Sequence, residues 1–154
     1  MHTFVARTLP RPRALFVLLA LGMALLAGCM SPEEQSFVDR ANQLRAEVGA
    51  APLAPNDILT VKAQAWAQRM ADDGKLSHST LREGVAGLSW TSLSENVGTN
   101  DGGGDWALRL HEQLASSPGH RRNLVDPKAT HIGVGVARSD DGQVYVTQVF
   151  ASLP

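Results

Sequence analysis

Ser116-Ser117-Pro118-Gly119-His120-Arg121-Arg122-Asn123, followed by Thr130-His131-Ile132-Gly133-Val134-Gly135-Val136-Ala137, is the stretch on which the reading of this chain turns. It sets a histidine behind a Pro-Gly turn and two arginines behind the histidine. A strand follows in which glycine alternates with Ile and Val. A helix ends here and a sheet begins. Polar side chains gathered at such a junction more often build a site than a core.

Downstream, Val144 to Phe150 reads as a second strand, and Asp140-Asp141-Gly142 is a hairpin signal between the two. Upstream, a helix over about 105–115 has Asp105 as its cap and Trp106, Leu110 and Leu114 on its inner face. Residues 76–104 read as irregular chain, with a short strand near 93–97 and a flexible turn at 99–104. A first helix is expected over 32–48: Ser31 caps it, Pro32 takes the first turn, and Phe37, Ala41, Leu44 and Val48 share a face. A second, capped by Asn56 and stopped by Gly74, runs to Asp73 with Leu59, Ala63, Trp66 and Met70 inward. Helices followed by paired strands argue for an α+β domain with helices packed on an antiparallel sheet.

The chain opens differently. Arg7, Arg11 and Arg13 precede an almost wholly apolar run over 14–28, and no acidic residue stands before Glu33. About fifteen apolar residues are short for a bilayer span, which needs roughly twenty, and suit a secretory signal. Leu26-Ala27-Gly28-Cys29 then looks like the lipobox of bacterial lipoproteins, which implies cleavage before Cys29 and lipidation of its thiol. The expected organisation is therefore a signal peptide over 1–28, a lipidated cysteine and short tether over 29–34, and one folded domain over 35–154. Cys29 is the only cysteine, so the fold is held by packing without an internal disulfide. Loss of 1–28 takes three of the 14 basic residues and none of the 15 acidic ones, leaving a net charge of about −4. A mildly acidic chain without clustered Lys or Arg is a poor partner for nucleic acid.

His78-Ser79 after the second helix, Ser94-Glu95-Asn96-Val97 in the middle, Ser117-Pro118-Gly119-His120-Arg121-Arg122-Asn123, and the strand pair Ile132–Val136 and Tyr145–Phe150 together resemble the CAP superfamily, also called SCP, in its compact bacterial lipoprotein branch. This superfamily joins cysteine-rich secretory proteins, antigen 5 and plant pathogenesis-related proteins. The resemblance covers residues 33–151. It implies an α–β–α sandwich with a small antiparallel sheet between helices, and a groove holding two histidines and up to two glutamates. Carried over by motif, the histidines are His78 and His120 and the first glutamate is Glu95. The place of the second falls near Ser117 by local register, with Glu112 about a turn and a half earlier.

Two neutral imidazoles and a carboxylate are a competent ligand set for a divalent metal, zinc first by ligand type, with copper or nickel also accepted. The competing reading is that His78 and His120 hydrogen-bond to loops and to Glu95 and close the groove without metal. Asn96 either touches ligand or fixes a turn, and His131 stands where its strand enters the groove region. Arg121 and Arg122 either clamp an anion or pair with Asp126 or Glu112. His111 reads as a half-exposed helix residue. Ser117 and His120 lie three apart, but no Gly-x-Ser-x-Gly elbow accompanies them. The resulting expectation is an extracytoplasmic domain tethered to a membrane of the cell envelope, whose groove holds a lipid-like, peptide or cell-wall ligand. The alternatives are a metal-assisted hydrolase with Glu95 as base or third ligand, and a scaffold without ligand chemistry.

Overall fold

The computed structural model describes residues 30–154, so the expected signal peptide and the lipidated Cys29 lie outside the described residues. Helix α1 spans Pro32–Glu47. Its start is a reciprocal cap: Glu34 N–H donates to Ser31 Oγ at 3.2 Å, and Ser31 N–H donates to the Glu34 carboxylate at 2.6 Å. Phe37, Val38, Ala41 and Leu44 face inward. Val48, expected on that stripe, is 47% exposed, because the helix has already ended and Gly49 turns the chain at φ 75°. The buried position beside the stripe belongs to Arg45. Its guanidinium donates to the carbonyls of Ala51, Leu124, Asp126 and Ala129, and these bonds offset the cost of burying a cation.

Helix α2 spans Asp57–Asp73, capped by Asn56 Oδ1 on the Leu59 N–H and closed by Gly74 at φ 60°. Its inner stripe is Leu59, Ala63, Ala67 and Met70. Trp66 is turned aside, its indole N–H donating to Ser77 O at 2.8 Å. The reason lies in the sheet. A Cβ on Gly133 would collide with the Leu59 carbonyl carbon and Thr60 N, and one on Gly135 with the backbone of Ala63 and Gln64. Backbone meets backbone there, and so close an approach leaves no room for an indole between α2 and β3.

Four strands follow in the order β1-β3-β4-β2: β1 at Ala54–Pro55, β2 at Ser92–Asn100, β3 at His131–Arg138 and β4 at Val144–Ser152. The three long strands are antiparallel, as expected, and two residues of β1 add a parallel edge to β3. β2 is longer than the strand expected over 93–97. Helices α3, Trp106–Ser116, and α4, Pro118–Leu124, complete the chain, and α4 stands where a turn was expected. Pro118 occupies its first turn after an extended Ser117 (φ −80°, ψ 120°), which makes Ser-Pro-Gly a helix start.

Side chains alternate across a strand, and residues opposite one another in a ladder share a face. Gly133, Val149 and Glu95 form one row, on the face covered by α2. Val134, Gln148 and Asn96 form the next, on the face where Phe37, Leu110, Leu114 and Leu124 gather from α1, α3 and α4. The result is the α–β–α sandwich that the resemblance implied. No helix among the described residues is long and apolar enough to cross a membrane.

Candidate functional site

β2 is an edge strand, and its neighbours Glu95 and Asn96 point to opposite faces of the sheet. Each fastens a different piece of chain. On the α2 face, Glu95 is almost wholly buried, its side chain 2% exposed. It accepts His78 Nδ1–H at 2.9 Å and Ser79 N–H at 2.8 Å through one oxygen, and the Ser79 hydroxyl through the other. An ionised carboxylate only accepts, so in neutral His78 the proton sits on Nδ1. Nε2 is left bare on a side chain that is 61% exposed. Lys62 of α2 supports the same loop by donating to Thr80 O at 2.9 Å. Burial pushes its ammonium below the ordinary lysine value, and the nearby Glu95 and Glu83 carboxylates oppose that shift.

On the other face, Asn96 is fully buried and ties β2 to α4. Its Nδ2 donates to His120 O at 3.2 Å and to Gln148 Oε1 at 3.2 Å. Asn123 answers from α4, donating to Asn96 Oδ1 at 2.9 Å and to Glu95 O at 3.2 Å. These bonds set His120 beside the strand edge. Burial first, and the charge of His78 second, hold its imidazole below the ordinary histidine value. His78 therefore lies close enough for its charge to oppose protonation of His120. A cleft of about 300 Å³ opens between the loop and α4, lined by His78, Ser79, Leu81, Leu93, Ser94, Glu95 and Asn123.

His78 and Glu95 are thus hydrogen-bonded and line the cleft, and His120 lies near enough for the His78 charge to lower it without itself lining the cleft, while three other groove candidates stand apart. Asn96 is consumed by the stitching of α4 and has no exposed surface. His131 begins β3, two strand spacings or about 10 Å from β2, and its Nδ1 pairs with Thr130 Oγ1 at 2.8 Å. Ser117 joins α3 to α4 and makes no side-chain cap bond; it does not line the cleft. Glu112 faces a crevice with Arg40, Glu47 and His111 between α1 and α3, so it supplies no second cleft carboxylate. His111 is buried, 8% exposed, instead of half-exposed. Arg121 and Arg122 pair with neither Asp126 nor Glu112: each donates to a main-chain carbonyl, of Ala115 and Gly119 respectively.

The expected three-ligand metal set does not fit this geometry. Both Glu95 oxygens already accept from the loop, and no cluster of three or more metal-ligating side chains forms among the described residues. Sequence reading passed over Asn123 and Lys62. Asn123 lies in the quoted motif, three residues after His120 and so on the same side of a helix. Nothing in the pattern around Lys62 marked it.

Among curated proteins, an uncharacterized protein of Bacillus subtilis, YkwD, is 29% identical over 126 residues, which is 77% of this chain. The chain spans 47% of that relative's length. An extracellular protein of Bacillus anthracis containing an SCP domain superposes with a TM-score of 0.64 at 25% identity, over 80% of this chain and 44% of that one. An outer surface protein of Borrelia burgdorferi reaches 0.67 at 16% identity, over 79% and 93%. NaASP2, whose crystal structure was determined with Zn²⁺, reaches 0.62 at 17%, over 79% and 80%. The sequence model of the cysteine-rich secretory protein family, CAP, matches residues 38–150, and the chain belongs to that family.

Proposed function

We propose that this protein is a lipid-anchored CAP domain of the cell envelope, facing away from the cytoplasm, that holds a lipid-like, peptide or cell-wall ligand in the cleft beside β2. One observation carries the reading: a buried carboxylate fixes the His78 ring with Nε2 bare, near a second imidazole that burial holds below the ordinary histidine value. His78 is thus a preset hydrogen-bonding group in a cleft whose lining includes the apolar Leu81 and Leu93. The anchor rests on the apolar run and Cys29, and relatives described as extracellular or outer surface proteins support the location.

The hydrolase alternative asks Glu95 to take a proton from water. Its two oxygens already accept three hydrogen bonds, so the geometry favours binding over that step. NaASP2 with Zn²⁺ keeps a divalent ion in view for the family fold; here it would have two ring nitrogens and no free carboxylate.

Native mass spectrometry of the full chain, expressed in a bacterium that processes lipoproteins and extracted from its membranes, tests both parts. The expected species starts at an acylated Cys29 and carries a noncovalent adduct that His78→Ala and His120→Ala each weaken. An intact Met1 terminus would remove the anchor. A wild type without adduct, or adducts unchanged in both variants, would remove the ligand site.

A further inference from the structure

The two outer edges of the sheet are finished differently. At the β3 edge, β1 covers the start, with Asn56 N–H donating to Ile132 O at 3.0 Å. Beyond it the Gln64 side chain of α2 closes the edge: Nε2 donates to Val136 O at 3.0 Å, and Oε1 accepts Val136 N–H at 2.9 Å. Even-numbered residues of β3 therefore turn their main-chain groups outward, and odd-numbered ones turn theirs toward β4. Carried across the registers Gly133↔Val149 and Asn96↔Gln148, the alternation makes even residues of β2 bond to β4. Leu93, Glu95 and Val97 then turn N–H and C=O to the outer edge.

Asn123 agrees independently, since its Nδ2 reaches Glu95 O from that side. No other described hydrogen bond engages the outward groups of Leu93 or the N–H of Glu95. Most exposed edges in folded proteins are covered, shortened or charged, and Gln64 does this at the far side. Leu93 and Glu95 of this open edge line the cleft together with His78, Ser79 and Leu81 of the loop and Asn123 of α4.

We propose that the cleft takes an extended peptide, which adds to β2 along Leu93–Glu95 as a further antiparallel or parallel strand. The inference rests on the reading of this cleft as a ligand site and names the class of ligand. Donors and acceptors repeating every second residue match another extended main chain. An acyl chain offers neither, and would leave the Leu93 and Glu95 groups desolvated without partners. Leu81 and Leu93 give alternate side chains of the peptide an apolar surface.

The test is amide exchange of the ¹⁵N-labelled full chain with an equimolar mixture of random-sequence octapeptides, and with the same mixture N-methylated at every amide. Main-chain pairing is tolerant of side chains, so the mixture suffices. Exchange at Leu93 and Glu95 should slow about tenfold when peptide is about ten times its Kd, and the N-methylated mixture should leave it unchanged. Leu93→Pro, which removes an outward N–H and no ladder bond, should abolish the slowing at Glu95, and Leu93→Val, which keeps both the N–H and an apolar side chain, should retain it. Equal slowing by the N-methylated mixture would overturn strand addition while leaving a ligand cleft. No slowing with any peptide would overturn it as well, and persistence of the adduct seen by native mass spectrometry would then keep the site without this class of ligand.

Discussion

Glu95 is the residue on which the site depends, because one buried carboxylate fixes both the His78 ring and the loop behind it. Glu95→Ala removes the carboxylate that accepts all three bonds. A loss of about 1–3 kcal/mol in urea unfolding is expected, together with loss of the Nδ1–H preference of neutral His78 in its ring ¹⁵N shifts. Unchanged ring shifts would mean that Glu95 does not orient His78. His78, Glu95 and His120 were legible in the sequence because they sit in short ordered motifs. His131 misled because adjacency in sequence to the glycine-alternating strand says nothing of strand order. Asn96 was open to a ligand or a structural role, and its bonds to α4 show that a polar residue in a motif is also what stitches a helix to an edge. Arg45 had no legible signal: a charge on the rim of an apolar stripe reads as solvated until four carbonyls are found around it.

The helices α1 and α2 and the hairpin of β3 and β4 follow from periodicity and caps, and the structure places them within a residue or two of expectation. α4 and β2 were the difficult elements. Seven residues opening on Pro-Gly look like a turn, and a polar edge strand lacks the apolar alternation of a half-buried one. Glycines in strands make a sharper statement about element packing than any helix does. Gly133→Ala should destabilise by about 3 kcal/mol or more, because the new methyl meets α2 backbone that has no side chain to yield. Gly98→Ala meets only the end of the Leu110 side chain, at 2.8 Å, and should cost about 1 kcal/mol. Equal losses in denaturant titrations would show that α2 does not lie directly on β3.

For the molecule as a whole, two partly buried imidazoles couple folding to pH. His120 is lowered by burial and by His78; His111 is lowered by burial and Arg40, against the raising effects of Glu112 and Glu47. A histidine lowered in the fold stays neutral there while the unfolded chain takes the proton. Stability is therefore full above the ordinary imidazole value, about 6.5, and falls as pH drops from there toward the lowered values. The urea midpoint should be lower at pH 5.5 than at pH 7.5, and the His111→Gln, His120→Gln double variant should shrink that difference. A difference of undiminished size would place its origin elsewhere. The central claim is narrower: the loop after α2 and the start of α4 bring His78 and His120 near each other at the edge of β2, with His78 lining the cleft. It is tested most directly by following the His120 ring protons by NMR through a pH titration, in the wild type and in His78→Ala. The account predicts that His120 titrates below the ordinary histidine value and moves upward, toward but not up to it, once the opposing charge at position 78 is gone. The same His120 titration in both proteins would contradict it.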